Sequence, residues 1–108
     1  MNKKKMKVAV TSTDNQLESV IDPRFGRCAY FTIYDTESHA IEFFANSAKE
    51  AAEGAGPAAV QFIAKHQVNK IISGDFGSKI KSLLQALNIE MHIEKDQHKS
   101  IVNILKEL

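Results

Sequence analysis

The chain has 108 residues, 44% hydrophobic and 25% charged, enough for one domain with one buried core and too few for two. Its formal net charge of +1 gives no reason to expect nucleic acid or a membrane surface as a partner, and no stretch approaches the ~20 apolar residues of a membrane helix. One cysteine excludes an internal disulfide and any need for an oxidising compartment. A single domain over residues 1–108 is therefore expected, in the cytoplasm. The basic start, MNKKKMKVAV, has no apolar run long enough for a signal peptide, and its lysines read as a solvated tail.

KVAVTST (7–13) predicts a first strand, with Val8 and Val10 on one face. A polar loop punctuated by Pro and Gly follows (14–27). CAYFTIYD (28–35) predicts a second strand, with Phe31 and Ile33 on one face and Tyr30, Thr32 and Tyr34 on the other. DTESH is a hairpin connection and AIEFFA (40–45) the return strand. The second half changes period. NSAKEAAEGAG is a small-residue loop, and Pro57 suits a first helical position, where its missing N–H is not needed. PAAVQFIAKH places Ala59, Phe62 and Ile63 on one helical face. NKIIS (69–73) is a short buried strand, and GDFG (74–77) a turn. SKIKSLLQALN carries a stripe of Ile80, Leu83, Leu84 and Leu87, with Asn88 at the exit. IEMHI alternates, with Ile89, Met91 and Ile93 inward. Asp96 is placed to cap a last helix bearing Ile101, Ile104, Leu105 and Leu108.

The order β-β-β-α-β-α-β-α begins as a meander and ends as crossover units, so the sheet should be mixed. If the first strand runs up, the second runs down and the other three run up. The loops at 12–27, 46–56, 74–77 and 94–97 then share one end of the sheet, and Cys28 opens the descending strand beside them. Ligands of open α/β sheets bind at that end. His39 falls at the opposite end, His66 ends a helix running away, and His92 and His98 lie nearer the loops.

DPRFGRCAYF (22–31) puts two arginines and the sole thiol at the mouth of a strand. Arg24 and Arg27 could clamp an anion, since a guanidinium offers a planar fork of donors. Equally, one of them could pair with Asp14, Asp22 or Asp75 and simply hold the loop. Gly54 and Gly56 precede a helix whose free N–H groups attract anions, although a plain turn explains them too. Cys28 reads either as a small buried hydrophobe or, with positive charge nearby, as a thiolate able to ligate a metal or cluster. GDFG lacks every other kinase element, and no G-x-G-x-x-G or P-loop is present. No Cys or His spacing matches a structural zinc site, and no serine has hydrolase context.

Taken together, MKVAVTS, DPRFGRCAYFTIYD and EGAGPAAVQFIAKHQVNKIISGDFG resemble the dinitrogenase iron–molybdenum cofactor biosynthesis family, over residues 6 to about 93. The resemblance implies a ribonuclease-H-like α/β fold, a mixed five-stranded sheet of order 3-2-1-4-5 flanked by helices, which the strand order above fits. Members occur alone as nitrogenase cofactor carriers and fused to the enzyme that builds the cofactor's iron–sulfur core. One cysteine cannot supply that enzyme's cluster-binding motif, so the resemblance is to the stand-alone form. It implies a non-enzymatic carrier in nitrogen fixation, binding an anionic iron–sulfur or iron–molybdenum cofactor and meeting cluster-synthesis or acceptor proteins. The expected site combines Asp22, Arg24, Phe25, Gly26, Arg27 and Cys28 with Gly54, Gly56, Gly74 and Gly77. Cys28 is the candidate metal ligand, a role the resemblance itself does not assign. The alternative is an interaction or regulatory module of the same fold, with no cluster, in an organism without nitrogenase. Nucleases of this fold hold metals on acidic residues of the first strand. KVAVTST has none, so no nuclease activity is expected.

Overall fold

A computed structural model describes residues 6–108. The N-terminal lysine run lies outside the described residues. Strands β1 (Lys7–Ser12), β2 (Tyr30–Asp35) and β3 (Ile41–Ala45) form the meander. Helix α1 (Ala55–Lys65) leads to β4 (Lys70–Ser73), α2 (Ser78–Ala86) to β5 (Glu90–Ile93), and α3 (Ile101–Lys106) closes the chain. The sheet order is β3-β2-β1-β4-β5, antiparallel from β1 to β3 and parallel from β1 to β5. This is the ribonuclease-H-like arrangement that the family resemblance implied.

Alternation along β1 divides the core. Ala9 joins Phe31 and Ile33 of β2 and Ile71 of β4 on one face, under Ala59, Val60 and Ile63 of α1 and Ile80 and Leu84 of α2. Val8 and Val10 join Ile72 on the other face, under Ile101, Ile104 and Leu105 of α3. The long loop after β1 is sewn to the α3 side. Ile21 N–H donates to Lys99 O, and Ile101 and Val102 N–H donate to Ser19 O and Leu17 O.

Local differences from the sequence reading have physical causes. β2 begins at Tyr30, not Cys28, because Ala29 N–H donates to the Asp22 carboxylate (3.3 Å) instead of to a strand. α1 starts at Ala55, which makes Pro57 its third residue. The first intrahelical bond is Ala58 N–H to Gly54 O, so the missing proline N–H still costs nothing. On α2 only Ile80 and Leu84 are buried, and Leu83 and Leu87 are 38% and 49% exposed. The inward stripe of this nine-residue helix is narrow because β5 beneath it is a short edge strand. Ile93 of β5 is 40% exposed for the same reason, and Met91 is only half-buried. Asn88 does leave α2 in the left-handed region (φ 59°), as its side chain suits. Asp96 does not cap α3. Its carboxylate accepts from His98 N–H in the preceding turn, and Ser100 is the cap, its Oγ accepting from Asn103 N–H at 3.3 Å. Leu108 lies beyond the helix and is 46% exposed.

Candidate functional site

The strand directions bring the expected loops together. Asp22 is the centre of the first, its side chain only 3% exposed. Asp22 N–H donates to Thr11 O (2.8 Å), and Thr11 Oγ1 donates back to Asp22 O (2.6 Å), which seats the residue beside the end of β1. Its carboxylate then organises the turn. Oδ1 accepts from Arg24 N–H (3.0 Å) and Arg24 Nε (3.2 Å), and Oδ2 from Arg24 Nη2 (3.4 Å) and Ala29 N–H (3.3 Å). The two arginines, one open question in the sequence, separate here. Arg24 lies outermost with 58% of its side chain exposed, and its hydrogen bond to Asp22 holds its pKa above the ordinary guanidinium value. Arg27 is half-buried, and its Nη1 donates to Lys49 O (3.0 Å) and Ala51 O (2.7 Å). Those bonds fasten the 46–54 loop to the first loop. Arg27 is tied to the chain itself, and Arg24 is left facing solvent.

Two glycines mark close backbone approaches. A Cβ on Gly74 would lie 2.6 Å from Pro23 Cα, and one on Gly26 would lie 3.0 Å from Gly56 N. Gly26 therefore covers the start of α1, and Gly74 lets the turn after β4 touch the first loop. Gly56 abuts Ile80 of α2. Gly54 and Gly77 are the N-cap residues of α1 and α2, both at φ 78°. Phe25 points inward, 2% exposed, with its ring 5.9 Å from Phe31 and 5.8 Å from Phe76. The ring anchors the loop to the core, so Phe25 would border a ligand rather than present its ring to one.

What stays open is a shallow cleft of about 250 Å³ lined by Pro23, Arg24, Phe25, Asp75, Phe76 and Gly77. It holds one guanidinium against the carboxylates of Asp22 and Asp75, so net charge alone does not make it an anion site. Hydrogen-bond capacity differs, however. Both Asp22 oxygens are used as above, and Asp75 Oδ1 accepts from Phe76 and Gly77 N–H (2.8 and 3.3 Å). Among the described residues, Arg24 Nη1 and the first-turn N–H groups of Ser78 and Lys79 have no acceptor. A helix N-terminus and a half-used guanidinium thus flank one cleft, and both are donors.

Cys28 is fully buried among the core residues of the α1 side. Asn46 Nδ2 reaches Cys28 Sγ at 3.9 Å. Burial first, and Asp22 second, push the thiol from its ordinary 9.0 up to about 12. Of the two readings of Cys28, the small buried hydrophobe fits this burial, because desolvation outweighs Arg24. Two results should follow. At pH 8 the folded protein should react with Ellman's reagent far more slowly than the same protein in denaturant. Stability should also fall as pH rises from about 9 toward about 12, since the unfolded thiol ionises first. Rapid labelling of the native state at pH 8 would contradict this burial.

Asn46 is the residue sequence reasoning missed. Its Nδ2 donates to Gly26 O (2.9 Å) and Cys28 O (3.0 Å), its Oδ1 accepts from Ala48 N–H (3.1 Å), and its own N–H donates to Ala29 O (3.0 Å). A single Asn in a loop carries no signal of that role, although its place just after β3 is where topology brings the loops together. The histidines do not gather at the site. His39 is at the far hairpin with Tyr34, His66 ends α1 beside Phe44 and Phe62, and His92 and His98 are exposed. Among the described residues no three His, Cys, Asp or Glu side chains are grouped to hold a metal ion, and no helix is long and apolar enough to cross a membrane.

The chain belongs to the dinitrogenase iron–molybdenum cofactor family, whose sequence model matches residues 4–108. It is 34% identical over 92 residues to an uncharacterized protein of Methanocaldococcus jannaschii, covering 82% of this chain and 75% of that one. Among solved structures it resembles the apo form of the orange protein from Desulfovibrio gigas, with TM-score 0.88 and 28% identity over 98% of this chain and 88% of that one. It also resembles a Thermotoga protein described as NifB-related and placed in the DUF35 family, with TM-score 0.76 and 30% identity over 94% and 88% of the two chains.

Proposed function

We propose that this chain is a non-enzymatic carrier whose cargo is an anionic iron–sulfur or iron–molybdenum cofactor, or a precursor of one, held at the loop end of the sheet and passed to an acceptor protein. The observation that carries the reading is the cleft bordered by Arg24 and by Gly77, the N-cap of α2. Bridging sulfides and organic-acid groups of such a cargo are hydrogen-bond acceptors, and backbone N–H groups in concave turns are suited to them. Family membership supports the reading, and so does the likeness to a protein solved in an apo form, which implies a loaded one.

The donor set limits how the cargo would be held. Cys28 is buried and protonated, and among the described residues no cluster of ligating side chains accompanies it. The cargo would keep its own metal ligands and be gripped through its periphery, Arg24 and α2 supplying hydrogen bonds while Arg27, Asn46 and the close-packed glycines hold the walls. Grip without covalent ligation suits a carrier that must also release.

Anaerobic mixing with isolated iron–molybdenum cofactor, followed by gel filtration, tests this. The cofactor's visible absorption should co-elute with the protein in a saturable ratio. Elution of all the absorption at the position of free cofactor would contradict the carrier reading and leave the loop end as a surface for another protein.

A further inference from the structure

The far end of the sheet holds a cavity that the carrier reading does not use. It measures about 420 Å³ and lies where β1 begins, β2 ends and α3 finishes. That volume is in the range of small-molecule sites. Met6, Val8 and Leu108 supply its apolar lining, and Tyr34, His39 and Lys70 its polar groups. Apolar lining with a few convergent polar groups is the composition such sites share.

Of its polar groups, Lys70 and His39 can donate to a ligand, while Thr36 Oγ1 donates to Met6 O. The Lys70 side chain is 21% exposed, and its one ion pair among the described residues is a 3.7 Å contact to Glu90, itself 63% exposed. Such a pair is weak, so the ammonium is available to another anion. Glu107 also lines the cavity; its carboxylate is 2.6 Å from Lys99 Nζ, which it shares with Glu94 at 3.3 Å, so its charge is partly offset. Tyr34 Oη lies 2.8 Å from His39 Nδ1. With the phenol donating, the imidazole proton sits on Nε2, which becomes a second donor. His39 adopts φ 65°, a left-handed conformation that glycine takes without strain. The hairpin therefore keeps an imidazole where its geometry alone would favour glycine, and that imidazole is the one fixed by Tyr34.

The geometry points to a second binding site here, for a small amphipathic anion: an aromatic or short-chain body bearing one carboxylate or sulfonate. Its apolar part would lie against Met6, Val8 and Leu108, and its charge between Lys70 and His39. This site is independent of the cargo cleft, from which it is separated by the length of the strands.

Titration with anilinonaphthalene sulfonate, combined with amide NMR using benzoate as the probe, tests the site. The dye should bind one-to-one with a blue-shifted emission. Lys70→Gln should weaken it at least tenfold, and His39→Gly, which suits the positive φ and preserves the turn, should weaken it as well. Leu87→Gln, on the exposed flank of α2, should leave dye binding unchanged. Benzoate should shift amides at residues 6–8, 34–39 and 70. Dye binding lost in Leu87→Gln but kept in Lys70→Gln would overturn the proposal, as would benzoate shifts absent from those segments up to millimolar concentration.

Discussion

Leu84→Ala should lower the unfolding free energy by ~2–5 kcal/mol, the range for a leucine deleted from a close-packed core. Leu84 is 0% exposed on α2 and shares its cluster with Ile63 of α1, Ile71 of β4 and Ile89 at the approach to β5. Neighbours on a helix, a strand and a loop cannot all move in to fill the space, so a cavity should persist. Leu87→Ala at the C-cap of the same helix removes a side chain that is 49% exposed and should cost no more than ~0.5 kcal/mol. Reversible urea denaturation of the two variants checks the assignment. Equal losses would mean that the inward face of α2 is wrong.

Asp22→Ala should be nearly as damaging, by ~3 kcal/mol, for a different reason. No large cavity forms, but Arg24 N–H and Ala29 N–H, both part-buried, lose their acceptor, and a donor left unsatisfied away from water costs ~1–3 kcal/mol. The loss should propagate, since Ala29 N–H is held where the loop gives way to β2 and Ala29 O receives Asn46 N–H. Asp22→Asn should cost less, ~1–2 kcal/mol, because Oδ1 still accepts while the amide group meets a donor at the other position. Thermal unfolding ranks the pair. An Asp22→Ala variant as stable as wild type would show that the carboxylate does not organise the turn.

These two residues mark what was legible in the sequence. The element order followed from hydrophobic periodicity, and strand directions from hairpin and helical connections; the sheet order was implied by the family resemblance. Those directions in turn located the loop end, because direction alone decides which loops meet. Side-chain roles within the loops were less legible. D-P-R-F-G-R is one pattern, yet its members divide between core (Asp22, Phe25), loop fastening (Arg27) and solvent (Arg24). Two arginines three residues apart carry identical local chemistry. Only the carbonyls of Lys49 and Ala51, more than twenty residues away, distinguish them. Cys28 was left open between buried hydrophobe and thiolate because sequence shows neighbouring charge but not depth, and depth dominates its pKa. Leu83 and Leu87 were over-assigned to the core because helical period reports an apolar face without reporting how far the sheet beneath it extends. Ser100 was passed over for Asp96 since both suit a cap, and only the bridge between Val20 and Ser100 decides which one begins α3.

The central claim is that Arg24 serves a ligand and Arg27 serves the fold. It is tested most directly by measuring cofactor affinity and stability side by side for Arg24→Gln and Arg27→Gln. Arg24→Gln should change stability by no more than ~1 kcal/mol, as expected for an exposed ion pair. It should weaken cofactor binding at least tenfold and make the remaining affinity less sensitive to salt. Arg27→Gln should be measurably less stable, yet bind normally at temperatures where it is folded. An Arg24→Gln variant that binds the cofactor as wild type does, or one that simply unfolds, would contradict the account.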